Sequence, residues 1–491
     1  MLFRSFLRNF VAHKSKHLMG AYINKGNEWF KRAINSEYVD KTGLIAEINA
    51  TLFTEKCFTC VSRCRRFGKS MAAKMLCAYY DLSCDSRALF KGLEIEQHPS
   101  FEQHLNKYRV IYVDMTDFIT RFNDDNIVKH LQKEVIEDIS MCYSAIPIKE
   151  GDDLMSYLCR VSEQSDDTFF MIIDEWDAIC REFNPTSKAM EDFVNLLRRM
   201  FKSANAYNVF AGVYMTGIFP IAKQNTQSAL NNFWEHSMTQ PRRLAKYFGF
   251  TKAEVQALCE KHNMPLEDLE KWYDGYSIGD EPSMFNPSSV MQAINAARCE
   301  SYWSSTGSFD AVSHYLRLDY NGVKEDISSM LAGASCDVDV ERFSRDITDI
   351  RNKNDVLSVL IHLGYLAYDR DTRTCHVPNY EVRSELQYAI EDCEWNEVVR
   401  SIKASKQLLD DLLQKDEEAV AKGIEAVHQE TSSLWDYNNE KSLTCVINLA
   451  FYTARDKYRI IREFPTGRGF ADLVFIPWRN VVSSAIVVEF K

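Results

Sequence analysis

The stretch Phe58 to Asp81, FTCVSRCRRFGKSMAAKMLCAYYD, constrains this chain more than any other. A short apolar run meets Arg63-Cys64-Arg65-Arg66-Phe67-Gly68-Lys69-Ser70 and passes into an alanine- and methionine-rich helical pattern, which predicts strand, phosphate loop and helix in succession. Gly-Lys-Ser at the start of a helix gathers backbone N–H groups, an ammonium and a hydroxyl around one point, a set suited to nucleotide phosphates and Mg2+. Gly68, Lys69 and Ser70 are therefore candidate nucleotide-binding residues, with Ser70 also a candidate Mg2+ ligand. The full loop pattern requires glycine where Arg63 stands, and a structural turn is the competing reading of Gly-Lys-Ser by itself.

Thr168 to Asp177, TFFMIIDEWD, is the second strong signal. A continuous apolar run is what a strand buried on both faces of a parallel sheet requires, and ligands bind at the carboxyl ends of such strands. Asp174 and Glu175 fall at that end. In a nucleotide hydrolase the first would hold Mg2+ through its water shell and the second would orient or deprotonate the attacking water. The competing role is capping of the next helix. Tyr108 to Met115 and Asn208 to Thr216 read as further strands alternating with helices. Thr216, before Gly217, is placed either to sense the γ-phosphate or simply to form a turn. Arg198, Arg199, Arg242 and Arg243 are either fingers toward a transition state or solvated charges.

At 491 residues the length suggests about three domains. A composition of 46% hydrophobic and 26% charged residues is that of a globular protein, and no apolar run approaches the roughly 18–20 residues of a membrane helix. Arg4 and Arg8 interrupt the apolar amino terminus and no small-residue cleavage site follows, so no secretory signal is read and a cytoplasmic location is expected. Fourteen dispersed cysteines then read as reduced thiols; Cys57, Cys60 and Cys64 lack a second ligand pair for a metal. A net charge of −12 excludes a globally basic nucleic-acid binder but not a local basic groove. Residues 1–37 read as a helical lead-in.

The combination Tyr38-Val39-Asp40-Lys41-Thr42, Arg65-Arg66-Phe67-Gly68-Lys69-Ser70, Ile173-Asp174-Glu175, Thr216-Gly217-Ile218-Phe219-Pro220-Ile221, Trp272-Tyr273-Asp274-Gly275-Tyr276 and Asn286-Pro287 resembles the bacterial AAA-ATPase-like family that commonly carries a carboxyl-terminal PD-(D/E)xK nuclease-type domain. That family usually reads Arg-Pro-Arg-Arg-Phe-Gly-Lys-Ser at the loop, so Arg63 agrees with it, while Cys64 replaces its proline. The resemblance covers most of the chain. It implies ATP and Mg2+ as cofactors and adds Arg65, Arg66 and Phe67 to the nucleotide-binding set. It also implies a helical lid over residues 246–300, in which Trp272, Tyr273 and Tyr276 read as packing residues.

Residues 404–428 read as one charged amphipathic helix carrying Leu408, Leu409, Leu412 and Leu413, followed by a helix from about Asn439 and three strands. Asp472 begins one strand; Glu489 and Lys491 lie two apart, on one face of the next. Two carboxylates and a lysine suit metal-assisted attack on a phosphodiester. Gly467-Arg468-Gly469-Phe470-Ala471-Asp472 resembles the family's nuclease motif, in which Asp472, Glu489 and Lys491 are catalytic and Asp472, Glu489 and Glu440 hold metal. Outward alternation of Glu-x-Lys along a strand is the bland alternative. In the family, helix and strand follow this lysine, so a truncated nuclease core is expected.

The fold class expected is α/β: a P-loop NTPase parallel sheet at 38–245, helical lid at 246–300, helical connector at 301–400 and an incomplete PD-(D/E)xK core at 401–491. The function expected is an ATPase whose nucleotide state controls a nuclease-type domain acting on nucleic acid, DNA first, with no membrane association and room for a homo-oligomer. A non-catalytic ATP-dependent switch with a degenerate nuclease domain is the alternative.

Overall fold

The computed structural model describes residues 20–184, 186–221, 230–303, 309–318, 320–341, 350–431, 440–467, 469–479 and 481–490. The chain divides into two compact units, one running to Tyr302 and including Asp339–Asp371, the other comprising Trp303–Val338 and the chain from Thr372. The stretch 301–400 is thus shared between the two.

In the first unit, five strands form one parallel sheet: β1 (Phe58–Ser62), β2 (Arg109–Asp114), β3 (Phe169–Asp174), β4 (Phe210–Gly217) and β5 (Trp234–His236), in the order β2-β3-β4-β1-β5. β1, β3 and β4 are buried along their whole length, as their unbroken apolar sequences require. Alternate residues serve two cores. Phe58, Cys60, Met171, Ile173, Val213 and Met215 join one with α3 (Ile127–Cys142), α4 (Leu154–Ser165) and α5 (Lys188–Phe201). Val61, Phe170, Ile172, Ala211 and Tyr214 join the other with α1 (Gly43–Asn49) and α2 (Lys69–Tyr80). β4 separates the phosphate-loop strand from the carboxylate strand. A register shift at Phe169/Phe170 brings Gly212 opposite Phe170, where a Cβ would stand 2.7 Å from Leu52 Cδ2.

The amino-terminal helix expected to about residue 37 is confined to Glu28–Ile34 within the described part. Before it, Ile23 bridges Ile111 on the β2 edge, and the N–H groups of Ala21, Tyr22 and Ile23 converge on the Asp138 carboxylate. Pairing with a sheet edge satisfies those backbone groups and overrides local helical propensity.

Residues 250–296 contain α6 (Lys252–His262), α7 (Leu266–Tyr273), the antiparallel strands β6 (Tyr276–Ile278) and β7 (Glu281–Phe285), and α8 (Pro287–Ala296) around a small apolar core. Thr251 and Glu254 form a capping box for α6. Asn286 caps α8 with proline next, which accounts for the Asn-Pro-Ser-Ser sequence. Tyr273 and Tyr276 are buried, and the Tyr276 hydroxyl donates to the Gly364 carbonyl at 2.7 Å.

In the second unit, the single helix expected over 404–428 is two: α10 (Asn396–Gln414), after α9 (Tyr380–Asp392), and α11 (Glu417–Glu430). Lys415 adopts a left-handed φ of 63° and Asp416 caps α11 by accepting from Ala419 N–H, so the pattern breaks without glycine or proline. Leu408 and Leu409 are buried while Leu413 is exposed. α12 (Glu440–Ala450) precedes an antiparallel sheet in the order β8 (Tyr458–Pro465), β9 (Phe470–Pro477), β10 (Ile486–Val488). Phe475 packs on Phe451 and Tyr458 beneath it.

Candidate functional site

The loop between β1 and α2 turns on two left-handed residues, Arg66 at φ 70° and Gly68 at φ 88°. A Cβ built on Gly68 would meet nothing within 4 Å, so the loop is open there. No side chain caps α2, and its first-turn N–H groups face that opening with Ser70, whose hydroxyl makes no hydrogen bond among the described residues. Lys69 is almost fully buried and its Nζ folds back onto the loop, donating to the carbonyls of Arg63 at 2.9 Å and Cys64 at 3.1 Å. An uncapped helix start, an ammonium and a free hydroxyl at one open point fit a phosphate and its metal ion.

Arg63 is not a loop surface residue. It is fully buried, donates to the carbonyls of Ser62 at 3.0 Å and His236 at 2.8 Å, and lies over the Phe248 ring, 5.5 Å from its centroid. Burial lowers its pKa to about 10. Arg63 thereby ties the root of the loop to the end of β5. Burial likewise raises the Cys64 thiol to about 12, leaving it an inert protonated packing group where proline is usual in the resembled family.

Phe67 turns the other way. Its ring is buried and meets Tyr276 edge-on at 5.1 Å, and its carbonyl accepts from Gly249 N–H. Only its backbone is available to a phosphate. The half-buried Arg66 donates through its guanidinium to the Tyr302 carbonyl. The loop is therefore anchored both in the sheet and in the helical region after residue 250.

Asp174 and Glu175 end β3 beside this loop. Asp174 is buried and accepts from the hydroxyls of Tyr112, at 3.0 Å, and Thr216. Thr216 Oγ1 in turn accepts from Glu175 N–H at 3.1 Å, so one hydroxyl orients both carboxylate residues. Glu175 itself has a φ of 52°, a strained value for a non-glycine residue. Its carboxylate lies 3.4 Å from Lys69 Nζ and 2.8 Å from the Arg181 guanidinium. Burial pushes its pKa up, but Lys69 and Arg181 outweigh burial and hold it below the usual carboxylate value.

Arg181 also lies 3.8 Å from Asp177, which is fully buried and accepts from the N–H groups of Ile218 and Phe219 at 3.0 Å each. Burial raises Asp177's pKa and Arg181 limits the rise. Gly217 makes this chain of contacts sterically feasible, because a Cβ there would stand 2.6 Å from Trp176 Nε1 and 2.9 Å from Asp177 Oδ1. A continuous polar path thus runs from Lys69 through Glu175, Arg181 and Asp177 to the backbone after Thr216.

The structure thus gathers Lys69, Asp174, Glu175 and Thr216. Tyr112, Asp177 and Arg181 are additions not read from the sequence; Asp177 and Arg181, four apart in a helical segment, carried the one legible signal. The four arginines weighed as fingers are engaged elsewhere: Arg198 on Asn195, Arg199 on Asp153, Arg242 on the Trp234 ring and Arg243 on Glu47.

In the second unit Asp472 lies on β9 and accepts from Phe490 N–H at 2.6 Å. The register Leu473↔Val488, continued by one residue, sets Glu489 opposite Asp472, though Glu489 follows β10 and is exposed. Lys491 lies outside the described residues, as does the side chain of Glu440, whose backbone opens α12. Among the described residues no cluster of three or more His, Cys, Asp and Glu side chains is arranged to hold a metal ion, and no helix is long and apolar enough to cross a membrane.

A glycine-turned loop entering a helix, with a carboxylate strand two places away in a parallel sheet, defines the architecture of P-loop nucleotide-binding domains. Residues 26–226 match the family model described as "Predicted AAA-ATPase". No curated protein matches the chain. Among solved structures it is similar to the ORC2 protein of Aeropyrum pernix in its ADP form, with 11% identity, 74% of this chain and 98% of that one covered, and a TM-score of 0.32. It is also similar to AMPPCP-bound DnaA from Aquifex aeolicus, with 11% identity, 79% and 96% covered, and a TM-score of 0.28.

Proposed function

We propose that the first unit binds ATP and hydrolyses it, and that its nucleotide state governs the carboxyl-terminal segment. The observation that carries this reading is the convergence of Lys69, Glu175 and the Asp174–Thr216 pair on the open mouth of the Gly68 loop. The loop N–H groups and Lys69 would bind the phosphates, with Arg65, Arg66 and the Phe67 backbone shaping the loop around them. Ser70 and Asp174 would hold Mg2+, which supplies charge neutralisation for the transferring phosphoryl group. Glu175, kept ionised by its cations, would accept the proton of the attacking water. Thr216 positions it through the backbone.

ATP binding by the wild type, loss of binding in Lys69→Ala, and retained binding with hydrolysis reduced by about 100-fold or more in Glu175→Gln test the reading. Equal hydrolysis by all three proteins would overturn it. The Lys69–Glu175 ion pair favours a second reading, a switch that binds ATP without turnover. Tight binding with no hydrolysis by the wild type would select it.

For the terminal segment we propose a nuclease-type role on nucleic acid, DNA first, with Asp472 and Glu489 as metal-holding carboxylates, Glu440 as a further one and Lys491 stabilising developing charge. Asp472 on β9 and Glu489, just past the end of β10 and opposite it in register, support it. Mg2+-dependent cleavage of plasmid DNA that disappears in Asp472→Ala is the expected result; a wild type that leaves plasmid intact with Mg2+ and Mn2+ would refute it. Fourteen free thiols suit the reducing cytoplasm.

A further inference from the structure

A second candidate site lies on the first unit away from the phosphate loop. A cavity of about 590 Å³ opens beside the edge strand β5, lined by Lys56, Tyr207, Asn231, Asn232, Trp234 and Arg242, with Glu55 also in its wall. Trp234 pairs with Thr59, near the amino end of β1, whereas the loop leaves β1 after Ser62. Three residues of strand, roughly 10 Å, separate the two along the sheet.

Three features give the cavity a chemical preference. Trp234 and Tyr207 are 38% and 40% exposed, which is high for large aromatic rings that each have a partner. Tyr207 stacks on Phe58 at 4.9 Å and 7°, which fixes its ring while leaving part of it open. Lys56 Nζ and the Arg242 guanidinium lie 4.6 Å and 5.1 Å from the Trp234 ring centroid, yet neither makes an ion pair among the described residues. Arg243 and Arg199, by contrast, pair with Glu47 and Asp153. Arg242 moreover has a left-handed φ of 50°, a strained backbone that persists only where surrounding structure enforces it.

We infer that this cavity binds a nucleotide unit: a planar base against the exposed rings and a phosphate at Lys56 and Arg242. The volume suits one such unit. Cations without carboxylate partners, held against an aromatic ring, are what sequence-tolerant strand binding uses. The same chemistry is offered by a residue of single-stranded nucleic acid and by a free nucleotide.

Fluorescence anisotropy of the full chain with a labelled single-stranded oligothymidylate, and calorimetry with AMP, which lacks the β- and γ-phosphates, distinguish these sources. A strand residue predicts oligothymidylate binding at least about tenfold tighter than AMP and weakening with salt; comparable binding of both points to a free nucleotide. In either case Trp234→Ala and Arg242→Glu should weaken binding by about tenfold or more. Should Trp234→Ala fail to fold, the exposed Arg242→Glu alone decides, with ATP binding at the loop as its control. No binding of either probe by the wild type, or binding that neither substitution weakens, overturns the inference whether or not the protein hydrolyses ATP.

Discussion

Replacing Arg181 with alanine removes a guanidinium 2.8 Å from Glu175 and 3.8 Å from Asp177. Glu175 keeps Lys69, so the loss falls mainly on the fully buried Asp177. Breaking a buried ion pair from one side costs about 3–5 kcal/mol, and a charge pair at about 4 Å with an effective dielectric of about 20 gives the same scale, about 4 kcal/mol. The dependence on pH is more diagnostic than the size. Burial raises the Asp177 pKa and Arg181 opposes that rise, so in Arg181→Ala the carboxyl climbs further. A carboxyl whose folded-state pKa is raised binds more protons folded than unfolded, and stability therefore falls as pH rises from its unfolded value through its folded value. Each additional unit of rise amounts to about 1.4 kcal/mol. Glu175, whose lowered pKa stabilises the fold above its unfolded value, loses part of that contribution and acts in the same direction. Urea unfolding followed by tryptophan fluorescence should show a penalty for Arg181→Ala that is larger near pH 8 than near pH 5, with Arg181→Lys recovering much of it. A penalty equal at both pH values, or no recovery with lysine, would refute the role given to this charge.

Other substitutions test separate parts of the site. Thr216→Val strips one donor from buried Asp174 and the acceptor from Glu175 N–H; a loss of about 1–3 kcal/mol by denaturation is expected, with ATP retained and hydrolysis slowed. Gly249→Ala places a Cβ 2.6 Å from Met284 Cε at a φ of 100° and should lower stability by about 1–3 kcal/mol in a thermal melt. Asp472→Asn keeps an acceptor for Phe490 N–H, so circular dichroism should be unchanged while any metal-dependent cleavage disappears.

The sheet was legible because β1, β3 and β4 are uninterrupted apolar runs with chemistry-bearing residues at their carboxyl ends. Asp274-Gly275 and Asn286-Pro287 fall where the structure ends α7 and caps α8. What escaped were pairings made over distance. Nothing near Tyr112 in sequence shows that its hydroxyl meets Asp174, and nothing near Arg63 shows that it threads inward to His236. Lys415 escaped for a different reason: a lysine in the left-handed region leaves an amphipathic pattern intact while ending the helix, and only Asp416 marks the restart.

The placement of β4 between the loop strand and the carboxylate strand has a mechanical consequence. Neighbouring strands lie about 4.8 Å apart, so Lys69 and Glu175 are held to their separation by Phe210–Met215 of β4, a spacer of apolar residues and Gly212 that makes none of the site's polar contacts. Gly212 abuts Leu52, a residue after α1, and thereby makes the gauge of the site sensitive to packing on the far side of the sheet. Substitutions at Leu52 or along Phe210–Met215 would then retune the proposed hydrolysis as shims do, altering the gap between two groups while leaving both in place.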